Sequence, residues 1–216
     1  MEIDHIFVFS DQEGREADQL VAAGFVEGSS RVHPAQGTRN RKFYFDNFFL
    51  ELLWVYNEAE IKRSAAAAVQ QLWQRSQHQS NGQSPYGLCL QNAKETDDLF
   101  KNSDSYQADY FPAGMQIDTL PHLGSPQLPW TFRLPFRDAA PKSDEARAHP
   151  NGVRRLSKAT FVLPSENAQH AFLQQFEEAS NIDFQLSDNV GLLLEFDEQR
   201  QGILLPMSSL GVLLLF

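Results

Sequence analysis

The chain has one order of predicted elements at both ends: a strand, a helix and three further strands. In residues 1–56, the strand IDHIFVFS and the helix EGREADQLVAAGF precede the strands SSRVHPA, RKFYFDN and FFLELLWV. In residues 149–216, the strand VRRLSKATFVLPS and the helix SENAQHAFLQQFEEAS precede VGLLLEFD, QGILLPM and LGVLLLF. Duplication of one module is the simplest account of this repeat. We therefore predict an α+β fold of repeated βαβββ modules, which form curved mixed sheets around a cup-shaped cavity.

Two segments lie between these modules. Residues 57–85 are Ala-rich, and their acidic residues come before the basic ones, which favours a helical connector. Residues 86–148 contain the strand YGLCLQ, the helix AKETDDLFKNS and the strands DYFPAGMQIDTL and WTFRLPF. A long polar loop follows them. We therefore predict a middle βαββ segment and a loop at 86–148.

Charge and composition exclude several classes of partner. The formal net charge is −10, and binding to nucleic acid or an anionic membrane would need a basic face. No apolar run reaches the roughly 20 residues that span a bilayer. The single Cys89 excludes an internal disulfide and fits a reducing compartment, so we expect a cytoplasmic protein. The chain ends on a predicted strand, which is typical of an oligomer contact, so we also expect a homodimer.

Glu51 lies in the most apolar strand of the first module. In FYFDNFFLELLWV it is the one charged residue among the last eight. A carboxylate that is buried without a partner costs several kcal/mol or takes up a proton. Glu51 is therefore solvated, paired, or bound to a cation.

Several short motifs resemble a known group of proteins. DHI in the first strand, AGF, GTRN and FLELLWV are similar to the first module of the vicinal oxygen chelate superfamily, in its glyoxalase-like branch. HPNGVRRLSKATFVL resembles the start of a later module of that branch. The resemblance implies a fold with a ligand-binding cup. It leaves the activity open, because the superfamily includes isomerases, ring-cleaving dioxygenases, thiol transferases and metal-free drug-binding proteins.

The resemblance also implies a metal site. In metal-dependent members, a His of the first strand and a Glu of the fourth bind a divalent ion, and these positions correspond to His5 and Glu51. Imidazole and carboxylate suit Zn, Fe, Mn or Ni. Side chains alternate along a strand, so Glu51 faces opposite to Leu50 and Leu52 and can point into one cup with His5. Near a metal, Glu51 could also act as the catalytic base.

The last module departs from this pattern. Complete sites take further ligands from a partner module. Aligning DHIFVFS with KATFVLP sets Ala159 opposite His5, and aligning FFLELLWV with LGVLLLF sets Leu213 opposite Glu51. Neither position can ligate a metal. The candidate replacements are His149, His33, His122, Tyr86 and Arg133.

Four further residues are candidates for substrate binding. Arg39 and Asn40, in the loop HPAQGTRNR, offer donors to a carboxylate or phosphate, although neighbours on a strand cannot both face inward. Asn40 matches the pattern of the family. Trp54 could line an apolar pocket or pack in the core. His149 begins the HPNG motif and could line the cup or form a turn.

Three hypotheses therefore stay open. The first is a metal-dependent lyase, isomerase or dioxygenase that acts on a small oxygenated organic molecule. The second is a metal-free small-molecule-binding protein of the drug-resistance type. The third is an interaction module whose cup is filled by its own Phe side chains. In the first two cases we expect Glu51 to face the concave side of the sheet, near His5.

Overall fold

The computed structural model describes residues 1–108, 111–121, 124–137 and 144–216. His122, the first two residues of DYFPAGMQIDTL and part of the polar loop that follows WTFRLPF lie outside these ranges. The elements of the first segment are β1 (Ile3–Phe9), α1 (Ala17–Ala22), β2 (Arg31–His33), β3 (Thr38–Tyr44) and β4 (Phe49–Val55).

The connector is a series of short helices rather than one helix: α2 (Glu58–Ile61), α3 (Ala65–Val69), α4 (Leu72–Arg75) and α5 (His78–Asn81). Two residues explain the interruptions. Ser64 has extended backbone angles, and its side chain accepts the N–H of Ala67, so it starts a new helix. Gln71 has a φ of +52°, a left-handed conformation that cannot continue a right-handed helix.

The middle and last segments complete the fold. Three strands follow the middle helix, where the sequence predicted two, so this segment has the same order as the first: β5 (Tyr86–Asn92), α6 (Lys94–Asp97), β6 (Asp104–Gln107), β7 (Gln116–Thr119) and β8 (Trp130–Arg137). The last segment has β9 (Leu156–Pro164), α7 (Ala171–Gln174), β10 (Ile182–Ser187), β11 (Gly191–Phe196), β12 (Leu204–Met207) and β13 (Val212–Leu215).

The strands form two curved mixed sheets. The larger has eight strands in the order β2-β3-β4-β1-β5-β8-β7-β6, and the smaller has the order β10-β9-β11-β13-β12. At the centre of the larger sheet, β1 pairs in parallel with β4 and antiparallel with β5. The predicted α+β fold class is therefore confirmed.

The module beside the first one in the sheet is the middle segment. The alignment that set Ala159 opposite His5 and Leu213 opposite Glu51 is therefore wrong in space, because β9 and β13 belong to the other sheet. The sequence could not separate the two cases, since the middle and last segments both offer a helix and several strands. Which strands pair is decided by contacts far apart along the chain.

The two sheets enclose the main core. On one face of the larger sheet, Ile6, Leu52 and Leu88 are buried in a single cluster with Phe161 and Leu194 of the smaller sheet. Burial of each such side chain contributes about 1.5–3 kcal/mol. The other face of the larger sheet is therefore the one left for a ligand cavity.

His149 connects the start of the last segment to the first module. Its Nδ1 accepts the backbone N–H of Val26 at 2.9 Å, and its ring packs against Phe25 and Phe45, with centroids 5.3 and 4.7 Å away. Burial lowers the pKa of His149 from its ordinary value of 6.5. The neutral ring is therefore the form that the folded protein favours.

We expect this histidine to make the protein less stable in mild acid. Because the pKa of His149 is lower in the folded state, its contribution is fully present above about pH 6.5 and is lost as the pH falls toward the lowered pKa. The His149→Gln variant should therefore lose less stability than the wild type between neutral and mildly acidic pH. Urea unfolding at several pH values measures this. An equal loss in both proteins would contradict the assignment.

Candidate active site

A cavity of about 370 Å³ lies on the face of the larger sheet that is turned away from the smaller sheet. Its walls are largely aromatic: Phe7, Trp130 and Phe132 line it, and the Trp130 and Phe132 rings stack at 4.1 Å. The connector supplies Gln70, whose Nε2 donates to Tyr106 Oη at 2.5 Å. The third hypothesis expected no cavity beside His5, and the structure has one.

The polar side chains of the cavity lie together on β1, β3 and β4. His5 Nε2 is 3.9 Å from Glu51 Oε2, and Asn40 Nδ2 donates to Glu51 Oε1 at 2.6 Å. Strand alternation explains this meeting. His5, Asn40 and Glu51 face the cavity. Ile6, next to His5 on β1, and Leu50, next to Glu51 on β4, face the core. The side chain of Glu51 thus points to the face that alternation along its strand predicts.

His33, on β2, extends this group at the rim. Its Nε2 lies 3.5 Å from Asn40 Nδ2, and its Nδ1 is 2.9 Å from Thr38 Oγ1. Burial lowers the pKa of His33, and the nearby charge of Glu51 partly opposes this effect. A neutral His33 can accept from Asn40 and donate to Thr38. Asn40 is oriented by His33 and by the backbone N–H of Arg31, which donates to Asn40 Oδ1 at 2.7 Å. Its Nδ2 also donates to the Glu51 carboxylate.

Asp4 reaches the same group through an irregularity in β1. Alternation alone would turn neighbouring Asp4 and His5 to opposite faces. The pairing of β1 with β5 shifts register between Ile3 and His5, so Asp4 is an extra residue in a bulge. Its Oδ1 consequently lies 2.5 Å from His5 Nδ1. A carboxylate at Nδ1 holds the ring so that the lone pair of its other nitrogen, Nε2, faces the cavity and is available to a metal ion.

The ring of His5 is also held by aromatic contacts. Phe49 stacks on one side with centroids 4.4 Å apart and planes 13° apart, and the edge of Phe132 lies at 5.4 Å. These contacts and Asp4 limit rotation of the imidazole. The ring of His5 is therefore held in one orientation, in which a ligand reaches it from the cavity.

The charge of the buried Glu51 carboxylate is poorly compensated by its neighbours. Its exposed fraction is 7%, and Asn40 is a neutral donor. Lys42 is its cross-strand neighbour, but Lys42 Nζ lies over the rings of Tyr44 and Phe49, at 5.3 and 5.8 Å, and pairs with no carboxylate in the described part of the chain. Such a charge is costly unless a cation or a proton joins it.

The residues present fit a divalent ion between His5 and Glu51. Two metal–ligand bonds of about 2.1 Å span up to about 4.2 Å, which includes the observed 3.9 Å. Of the middle segment, β5 and β8 present Cys89, Trp130 and Phe132 to this face, and the thiol of Cys89 is the one potential metal ligand among these three side chains. Two protein ligands would leave several positions of the ion open to a substrate.

A second set of donors lies behind His5. Within the described residues, Asp4, His5 and Cys89 form the group whose ligand atoms all lie within 4.8 Å of one another. The Cys89 thiol is fully buried, and burial raises its pKa well above the ordinary value, so it is protonated unless a metal displaces the proton. Asp4 is the most exposed member of this group, with 34% of its side chain accessible, whereas 10% of the Glu51 side chain is accessible.

The other predicted site residues lie away from the cavity. Arg39 and Trp54 pack together on the opposite face, with the guanidinium 5.9 Å from the ring centroid. His149 lies against Phe25 and Phe45, as described above. Their roles in substrate binding stay predictions and do not enter the site proposed below.

Of the candidate replacement ligands in the described residues, one lines the cavity, namely His33. Tyr86 donates to the backbone of Leu210 and Gly211 in the core. Arg133 binds Asp97 and Asp118. His122 is outside the described residues. Sequence reasoning missed Asp4 and Gln70. The position of Asp4 directly before His5 in the sequence was the one signal that could have identified it.

Comparison with known proteins agrees with this architecture. A family model described as a glyoxalase-like domain matches residues 3–176. No curated protein sequence matches the chain. A structure of a hypothetical protein from Staphylococcus aureus is similar over 99% of this chain and 97% of its own, with a TM-score of 0.62 and 11% identity.

Two structures of named proteins have lower TM-scores. A fusion of a xylose isomerase-like TIM barrel with 4-hydroxyphenylpyruvate dioxygenase is similar over 90% of this chain and 36% of its own, with a TM-score of 0.52 and 7% identity. Methylmalonyl-CoA epimerase is similar over 66% of this chain and 98% of its own, with a TM-score of 0.42 and 19% identity. Similarity at this level concerns the fold alone.

Because the family model covers most of its length, the chain belongs to the glyoxalase-like domain family, within the vicinal oxygen chelate superfamily. The resemblance found in the sequence is therefore confirmed. None of the helices in the described ranges has the length and apolar character needed to cross a bilayer.

We expect Asp4 to determine which nitrogen of His5 carries the proton. At alkaline pH, where imidazole is neutral, the wild-type ring should be protonated at Nδ1, because Asp4 accepts there. Asp4→Ala should move the proton toward Nε2, where Glu51 can accept it. Asp4→Asn keeps an acceptor oxygen and is the matched control. Nitrogen-15 NMR of the ring distinguishes the tautomers, and an unchanged tautomer in Asp4→Ala would contradict the role.

Proposed function

We propose that this protein is an enzyme that acts on a small oxygenated organic molecule in the cup, with a divalent ion held by His5 and Glu51. Zn, Fe, Mn and Ni suit these ligands. The observation that carries the proposal is the buried carboxylate of Glu51, which faces His5 Nε2 at 3.9 Å and, among the described residues, accepts from one neutral side-chain donor. Replacing a buried charged group by apolar side chains is often neutral or stabilising, so the presence of this carboxylate favours a functional role.

The residues of the chain have separate tasks in this proposal. Asn40 binds Glu51 Oε1 and leaves Oε2 directed toward His5. Asp4 fixes the ring of His5. When bound, a divalent ion would supply polarisation of a carbonyl oxygen. Glu51 is then placed to take a proton from a carbon next to that carbonyl, which is chemistry that isomerases and lyases share.

The aromatic walls support this chemistry. Phe7, Trp130 and Phe132 form one side of the cup and are themselves buried. They limit the water that reaches Glu51. Electrostatic interactions are stronger in such surroundings than in bulk water, so a base and an ion would act more effectively there.

We expect Zn, Fe, Mn or Ni to raise the melting temperature of protein stripped of metal. A ligand at about 100 times its Kd stabilises by about 2.7 kcal/mol, which for a chain of this size is a rise of about 5–10 °C. Glu51→Gln should abolish the rise without loss of fold, because it keeps the shape of the side chain and removes its charge. Glu198→Gln, at an exposed carboxylate, is the matched control.

Two results would overturn the assignment of the metal ligands. One is the absence of any thermal shift with all four metals. The other is a shift that persists in Glu51→Gln and disappears in Cys89→Ser, which would assign the ion to the group of Asp4, His5 and Cys89.

A second candidate function is a metal-free small-molecule-binding protein. The observation that favours it is the apolar surface that β5 and β8 contribute beside His5 and Glu51, where a partner module would carry further ligands. We expect a protein of this kind to be stabilised by aromatic acids, carbonyl compounds or antibiotics in the presence of a chelator. A screen by thermal melting separates the two candidates, because ligand binding by the enzyme would depend on the metal.

The homodimer also stays a proposal, although its basis changes. The terminal strand β13 lies inside the smaller sheet, between β11 and β12. The edge strand β12 instead exposes Leu204, with an exposed fraction of 65%, next to the exposed Ile203. An apolar sheet edge favours pairing with a second chain. Light scattering of the wild type and Leu204→Lys tests this contact, and a wild-type monomer would exclude it.

A further inference from the structure

We infer that the ligand of the cup is an elongated organic anion, whose apolar tail occupies a second cavity adjoining the first. This inference rests on the proposed function of the cup as a ligand site, and it adds the class of ligand. Its basis is the four residues that line both cavities and the charge of Lys42, which is one of them.

The second cavity, of about 390 Å³, lies at the end of the larger sheet where β3 turns into β4. Phe45, Phe48 and Leu90 are buried apolar residues of its lining, which also includes the charged residues Asp4 and Arg147. Glu145 closes part of its rim, where it accepts the backbone N–H of Ser29 at 3.0 Å. Its size is in the range of small-molecule sites, which begin at about 300 Å³.

The two cavities share part of their walls. Lys42, Phe49, Leu134 and Phe136 line both of them. Phe136 has an exposed fraction of 43%, which is high for a Phe at the border of two cavities. An apolar chain that passes from one cavity to the other would cover this ring. The stabilisation would come from removing apolar surface of both partners from water.

Lys42 gives the sign of the ligand's charge. Its Nζ lies over Tyr44 and Phe49 and makes no ion pair with a carboxylate of the described residues. It is the direct cross-strand neighbour of Glu51. A ligand carboxylate at Lys42 would therefore lie beside an oxygenated head group at His5 and Glu51. The tail would then continue past Phe49 into the second cavity.

A series of α-keto carboxylates of increasing chain length tests this arrangement. We expect binding to tighten from pyruvate through α-ketohexanoate to α-ketodecanoate, by about fourfold for each methylene that becomes buried. Calorimetry on the metal-loaded wild-type protein measures each Kd. Lys42→Gln should weaken the binding of every member while preserving the dependence on length.

A substitution that fills the second cavity locates the tail. Gln91 lines that cavity and not the first, so Gln91→Trp should remove the gain for the long acids and leave pyruvate binding unchanged. Gln185→Trp, at an exposed position on β10, is the matched control. If Gln91→Trp does not fold, Ser29→Phe fills the same cavity from its exposed side.

The outcomes separate this inference from the proposed function. Equal binding of short and long acids, or a length dependence that survives Gln91→Trp and Ser29→Phe, would overturn the tail site and leave the cup site standing. If none of the acids binds although the metal does, the class of ligand is wrong. If neither metal nor acid binds, the proposed enzyme fails together with the inference.

Discussion

The antiparallel pairing of β1 with β5 is the contact on which the rest of the structure depends. It joins the first and middle segments into one sheet of eight strands, and without it neither segment would have a complete floor for the cup. The same pairing contains the bulge that brings Asp4 to His5 Nδ1. The joint between the two halves therefore also sets the orientation of the site's histidine.

The energetics of the site are dominated by one charge. Glu51 lies on a strand whose neighbouring side chains, Leu50 and Leu52, stabilise the core, while its own burial destabilises the protein. Asn40 offsets part of this cost through a hydrogen bond, and the rest remains for a cation, a proton or a ligand. A buried charge that destabilises the free protein favours the binding of a partner that compensates it. This relation underlies both the proposed enzyme and the alternative binding protein.

Local rules of sequence predict much of this site and little of its surroundings. Alternation along β3 and β4 accounts for Asn40 and Glu51 facing the cup, and by the same rule for Arg39 and Trp54 facing away from it. The bulge at Asp4 breaks alternation, and no turn residue or Gly signals it. The sequence also could not predict which segment pairs with the first module. Strand pairing between distant segments depends on the fit of whole sheets rather than on any local pattern.

Gly87 has a consequence for how the two halves of the larger sheet can change. An added Cβ at this residue would lie 2.0 Å from the ring of Phe7, so the ring occupies the volume that any other side chain would need. A new ligand at Gly87 would therefore require a smaller residue at position 7 at the same time, and either substitution alone would be harmful. The two halves of the larger sheet are thus linked by a pair of mutually dependent residues at their junction, and the effects of substitutions at Phe7 and Gly87 should not add.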